Sequence, residues 1–207
     1  MWEYRGSEIQ SQMRWEFRFT GIGGQGAITI GNVLGRAAVI YGGREAVVTE
    51  GYSPYVTGGW SRADVVISDD PIDYPLVSKL DVLLTMYQDG LDLNLKMVKS
   101  GGFVIAENQL ASFRGVGRKD LRLLGVPAIA TAESLGKKLV ANVVMLGAVP
   151  AVCGAVQLDA VKKAVADRFP KAVELNMKAL DRGFELGSKL IQGIPVMTDV
   201  TRQQIVR

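Results

Sequence analysis

The sequence predicts an α/β fold: a single three-layer α/β/α domain built on a mainly parallel sheet, ending in a helical C-terminal third. Three observations predict it. Short β-branched or apolar runs alternate with stretches of helical period. Several of those runs are apolar throughout, as in strands covered on both faces. A glycine-rich turn, Gly21 to Gly26, stands between the first strand and the first helix.

Trp15–Thr20 alternates aromatic and charged residues and reads as the first strand. From Ala27 the pattern is helical, with Ile30, Val33, Leu34, Ala37, Ala38 and Tyr41 on one face. Gly42-Gly43 stops that helix. Ala46–Thr49 is the expected second strand, Ala63–Ser68 the third, Val82–Met86 the fourth, Phe103–Ala106 the fifth and Ala128–Thr131 the sixth. Helices are expected over Leu91–Lys99, Glu133–Val149, Asp159–Arg168 and Lys171–Leu190, with breaks at Pro150 and Pro170. The pattern divides the chain into a polar extension over 1–14, one domain over 15–192 and a tail over 193–207 with no clear period.

Composition narrows the chemistry. The net charge of the 207 residues is only +3 and the basic residues are scattered, which disfavours nucleic acid as a partner. No apolar run approaches the roughly 20 residues that span a bilayer, so no membrane is implied. The polar start lacks a signal-peptide centre, so the expected location is cytoplasmic. The absence of histidine removes the commonest general base and metal ligand. The single cysteine, Cys153, cannot hold an iron–sulfur cluster by itself and reads as a buried, inert thiol. Asp69, Asp70 and Asp73 read as a solvated turn rather than a metal site. No residue is assigned as catalytic or metal-binding.

The strongest local signal is Gly21-Ile22-Gly23-Gly24-Gln25-Gly26, a G-x-G-x-x-G turn in the right strand–turn–helix setting, giving the chain a Rossmann-like start. Glycine lets a ligand approach the backbone, and the free N–H groups of the following helix favour a phosphate. The same glycines could instead serve only close helix–strand packing. Glu50, ending the second strand, sits where a ribose-binding acid of an NAD enzyme would lie. The lack of histidine and of a second domain weighs against that reading. Asn142, near a helix start, is either a cap or a polar contact beneath the site.

Beyond the turn, the residues resemble the gamma subunit of 2-oxoacid:ferredoxin oxidoreductases. The resemblance rests on the turn itself, on Gly31-Asn32-Val33-Leu34-Gly35-Arg36-Ala37-Ala38, and on Tyr52-Ser53-Pro54-Tyr55-Val56-Thr57-Gly58-Gly59-Trp60-Ser61 leading into a strand. Pro71-Ile72, Tyr74-Pro75, Asp81, Ala141–Gly147, Asn176, Ala179 and Gly183 extend it over about 17–190. The chain departs from the family at Thr57, where relatives usually carry arginine, and at Tyr55, where they carry an acid. Arg62 is close enough to substitute for that arginine.

The resemblance implies a subunit that is not active alone. The family's complex converts a 2-oxoacid, coenzyme A and oxidised ferredoxin into acyl-CoA, carbon dioxide and reduced ferredoxin. It implies thiamine diphosphate, Mg2+ and 4Fe-4S clusters on alpha and beta subunits and a ferredoxin-like delta subunit. The Gly58-Gly59-x-Ser61 loop resembles the 2-oxoglutarate branch more than the pyruvate branch. The expected cofactor-binding residues are Gly21, Gly23, Gly24, Gln25 and Gly26, with Ser53, Thr57, Gly58, Gly59 and Ser61 across a shared crevice that receives the phosphates of coenzyme A. Packing against partner subunits is the other reading of the second loop, through Tyr52, Tyr55 and Trp60. An NAD-dependent oxidoreductase and a non-enzymatic α/β binding protein remain the alternatives.

Overall fold

A computed structural model describes residues 13–54 and 59–193. Thr57 and Gly58, most of the N-terminal extension and nearly all of the C-terminal tail therefore lie outside the described residues. Six strands form one sheet: β1 (Arg14–Ile22), β2 (Glu45–Tyr52), β3 (Trp60–Ser68), β4 (Leu80–Thr85), β5 (Val98–Glu107) and β6 (Arg122–Val126), in the order β2-β3-β1-β4-β5-β6. The β1–β4, β4–β5 and β5–β6 pairings are parallel, whereas β3 runs against both β1 and β2. The sheet is thus mixed, because β2 and β3 form a hairpin inserted beside β1 instead of joining through a helix.

The helices are α1 (Ala27–Arg36), α2 (Gln88–Asn94), α3 (Ala128–Ser134), α4 (Ala141–Val152), α5 (Leu158–Arg168) and α6 (Val173–Gln192). Alpha-helical α1 continues as a π-helical turn, Ala37–Tyr41, before Gly43 turns the chain with φ 64°. Helices α1 and α3 to α6 pack on one face through Phe17, Phe19, Leu84, Ile105, Met145 and Leu180, which form the larger core. The other face carries a smaller core of Leu80, Leu83, Leu91, Val104 and Ala111 under α2 and the segment after β5. The three layers are therefore unequal.

Three local expectations are corrected. Ala128–Thr131 is helical, not a strand. Its β-branched content is overridden where the Glu107 carboxylate accepts the Ile129 N–H at 3.2 Å and the Thr131 hydroxyl donates to the Pro127 carbonyl at 2.7 Å. The sixth strand is the preceding apolar run, Arg122–Val126. The single helix expected over Glu133–Val149 is divided at Gly136, whose φ of 94° ends α3, and Pro150 lies inside α4 rather than ending it. The helix expected over Leu91–Lys99 starts and ends earlier, and Val98-Lys99 opens β5.

Under the thin layer, the face of β1 and β3 is charged and internally paired. Arg18 donates two hydrogen bonds to Asp64, both at 2.7 Å, and a third to Asn94 at 2.8 Å, with both partners of the ion pair buried. Glu16 accepts the N–H groups of Ser78 and Lys79 at 2.7 and 3.0 Å and the Arg14 guanidinium at 3.0 Å. Burial pushes the Glu16 carboxyl up, but those backbone donors and Arg14 outweigh it and hold it below the usual carboxylate range. A depressed carboxyl stabilises the fold above its unfolded pKa and loses that contribution as pH falls through its folded value. Glu16→Gln is thus expected to flatten the loss of thermal stability below about pH 4.5, the ordinary value, in acid melts followed by circular dichroism.

Candidate functional site

The glycine turn closes β1 and starts α1 at the C-terminal ends of the parallel strands, where open sheets bind ligands. Gly24 and Gly26 have φ of 91° and 78°, conformations open to glycine and strained for other residues. Gly26 is the N-cap of α1 and brings no side chain to it, so the N–H groups of Ala27, Ile28 and Thr29 have no intrahelical acceptor. The turn is held from within. Gln25 spans it, accepting the Ile22 N–H at 2.7 Å and donating to the Met86 carbonyl at 3.0 Å. The Gln25 N–H donates to the Ile22 carbonyl at 3.0 Å and the Gly23 N–H to the Gly59 carbonyl at 2.8 Å. The amides of Gly24 and Gly26 donate to no backbone carbonyl among the described residues.

This redistributes the expected roles. Gln25 is a strut between the turn and the residue that follows β4. Ser61 donates to the Gly21 carbonyl at 3.2 Å, and Ser53 pairs through its N–H with the Trp60 carbonyl at 2.9 Å. The second loop is thereby fastened to one flank of the glycine turn. Gly21, Gly23, Ser53, Gly59 and Ser61 belong to that fastening, and Thr57 and Gly58 lie outside the described residues.

The cavity opens on the opposite flank. It has a volume of about 480 Å³ and is lined by Gly24, Gln25, Met86, Leu110, Ile129, Lys138, Leu139 and Asn142. Asn142 stands against the turn so closely that a Cβ on Gly26 would meet its amide nitrogen at 2.3 Å. It is not the cap of α4, which begins without a side-chain cap. The Lys138 ammonium is in no ion pair among the described residues. Glu107 forms the floor, buried to 1% exposure, its carboxylate accepting the N–H groups of Gln109, Leu110 and Ile129. The cavity is therefore lined by the glycine turn at Gly24 and Gln25, one ammonium and several apolar side chains.

Lys138, Leu139, Leu110, Ile129 and Glu107 were not singled out by the sequence, although Lys137-Lys138 after the Gly136 break was a visible signal. Cys153 is buried, and desolvation pushes its thiol up to about 12, so it is unreactive. Asp69 pairs with Arg44 at 3.0 Å, as in an ordinary surface turn.

Residues 16–186 match the family described as Pyruvate ferredoxin/flavodoxin oxidoreductase. The chain is 39% identical to 2-oxoglutarate synthase subunit KorC of Methanocaldococcus jannaschii over 181 residues, covering 86% of this chain and 97% of that one. The keto/oxoacid ferredoxin oxidoreductase gamma subunit from Geobacter sulfurreducens PCA superposes with a TM-score of 0.77 at 37% identity, over 86% of this chain and 98% of that one. A 2-oxoglutarate:ferredoxin oxidoreductase from Magnetococcus marinus, with 2-oxoglutarate, coenzyme A and succinyl-CoA bound, shares the fold with a TM-score of 0.78 at 21% identity, over 89% of this chain and 33% of that one.

Proposed function

The chain belongs to the pyruvate ferredoxin/flavodoxin oxidoreductase family, and from that premise we propose that it is the gamma-type subunit of a 2-oxoglutarate:ferredoxin oxidoreductase that cradles the phosphates of coenzyme A. The observation that supports the cradle is the cavity beside Gly24, where unpaired backbone donors and Lys138 meet an apolar wall. That arrangement suits a ligand with an anionic head and a long uncharged arm. The phosphates lie against the amides of Gly24, Gly26 and Ala27, with Lys138 neutralising charge. The pantetheine arm follows Met86, Leu110, Ile129 and Leu139 towards solvent and the neighbouring subunits. Gln25 keeps the turn in register with β4, and Asn142 backs it from behind. These groups bind and orient; they move no proton.

The reaction's chemistry belongs to the partners. Thiamine diphosphate, with Mg2+, would supply the electron sink for decarboxylation there, and 4Fe-4S clusters would carry electrons to ferredoxin. One buried cysteine and no histidine fit a chain that holds neither. Alpha and beta subunits and a ferredoxin-like delta subunit would supply them. Tyr52 and Trp60 are 61% and 42% exposed beside the turn, which favours a subunit contact for the second loop. Among the described residues no helix is long and apolar enough to cross a membrane.

The test is titration of the assembled complex with coenzyme A by calorimetry. Gly24→Val forces a side chain onto a backbone with φ 91°, and Lys138→Ala removes the ammonium. Each is expected to weaken binding about tenfold or more, since a charge-assisted hydrogen bond contributes roughly 1.5–3 kcal/mol. Unchanged affinity in both variants sinks the cradle. Turnover of pyruvate in preference to 2-oxoglutarate sinks the substrate assignment.

A further inference from the structure

Glu107, the last residue of β5, is a carboxylate at 1% exposure that enters no ion pair among the described residues. Burying a charge is costly unless hydrogen bonds replace its water. Here three backbone N–H groups do so, and both oxygens are engaged. One oxygen accepts from Gln109 at 2.8 Å and Leu110 at 3.0 Å, and the other accepts from Ile129 at 3.2 Å. The group holds protein rather than ligand.

Its donors come from two segments. Strands β5 and β6 run side by side to Glu107 and Val126, and the Asn108 N–H still donates to the Val126 carbonyl at 3.1 Å. There the two segments part. The one after β5 turns back, the Leu110 and Ala111 N–H groups donating to the Glu107 carbonyl at 3.2 and 2.9 Å. The one after β6 passes Pro127 into α3. Past the parting, the hydrogen bonds that tie 109–111 to 127–131 among the described residues run through the Glu107 side chain. Leu110 and Ile129, one from each segment, both line the cavity.

We propose that Glu107 is a positioning residue that fixes Leu110 against Ile129 and so sets the fit of the cavity to the uncharged arm of its ligand. This role rests on the reading of the cavity as the cradle of coenzyme A. A glutamine of the same length has one acceptor oxygen and can serve one segment only. Its amide nitrogen then meets an N–H of the other segment, donor against donor, and that segment is released. Charge alone predicts the opposite effect. A carboxylate lining a site for phosphates repels them, so neutralising it should tighten the hold on an anion. Weaker binding after Glu107→Gln therefore reports position, not charge.

The experiment is calorimetry of the assembled complex with two probes. One is coenzyme A; the other is adenosine 3′,5′-bisphosphate, which lacks the arm and is read by competition. Glu107→Gln is expected to weaken coenzyme A about tenfold, the scale of one lost apolar contact, and to leave the fragment as tight as before or tighter. Leu110→Ala, at a residue 40% exposed and so tolerant of truncation, is expected to weaken coenzyme A alone. Unchanged affinity for coenzyme A in Glu107→Gln overturns the proposal. So does equal weakening of both probes, the mark of a merely structural role. Should Glu107→Gln fail to fold, Leu110→Ala decides, and unchanged affinity for coenzyme A there overturns the proposal. If Gly24→Val and Lys138→Ala weaken coenzyme A while Glu107→Gln does not, the cradle stands and this role falls.

Discussion

Replacing Gly183 with alanine is expected to lower the melting temperature by roughly 10 °C, taking about 3 kcal/mol and 2–4 °C per kcal/mol for a chain of this size. The cause is the crossing of α4 and α6. A Cβ on Gly183 would lie 1.9 Å from the Val144 carbonyl oxygen, and one on Gly147 would lie 2.2 Å from that of Leu180. Neither obstacle is a flexible side-chain end; both are helix backbone, so relief requires the helices to separate. Separation would open the core around Met145, Ala148, Ala179 and Leu180, all fully buried. Differential scanning calorimetry checks this, with Gly154→Ala as control because a Cβ there meets nothing within 4 Å. A Gly183→Ala variant that melts with the unsubstituted chain would contradict the close crossing.

The second large effect is expected at Arg18. Arg18→Met leaves the Asp64 carboxylate buried with Arg62 as its remaining cation, 3.5 Å away and 39% exposed. Breaking a buried ion pair from one side costs about 3–5 kcal/mol, because the surviving charge keeps its desolvation and loses its partner. The double variant Arg18→Met with Asp64→Leu removes both charges and should recover most of that loss. Urea unfolding of the two single variants and the double variant measures the coupling. Additive losses would mean that the pair contributes nothing beyond its separate residues.

Much of the fold was legible because its local signals agreed with its tertiary setting. The glycine turn, α1 and the strands around Val65, Leu84 and Ile105 were readable because apolar periodicity and burial coincide there. Ala128–Thr131 was misread because a short run of alanine, isoleucine and threonine has no period of its own. The Glu107 carboxylate, 22 residues before the Ile129 N–H that it accepts, decides its conformation. The hairpin that reverses β3 was invisible for a related reason, since its glycines and aromatics suit a loop of any length. At the site, the turn was found but its partner wall was not. Asn142 reaches the turn, and Lys138 the cavity beside it, only through the break at Gly136 and the placement of α4, which no local pattern encodes.

That reversed strand has a consequence for redox chemistry. By lying between β1 and β2, β3 moves the end of β2 two strand spacings from the glycine turn, roughly 10 Å. Glu50 is further committed there, accepting from Asn32 at 2.7 Å and from the Tyr52 hydroxyl. A nicotinamide dinucleotide gripped by its pyrophosphate at the turn would find Glu50 already engaged by Asn32 and Tyr52. The hairpin thus carries the acid that a nicotinamide site would need away from the glycine turn.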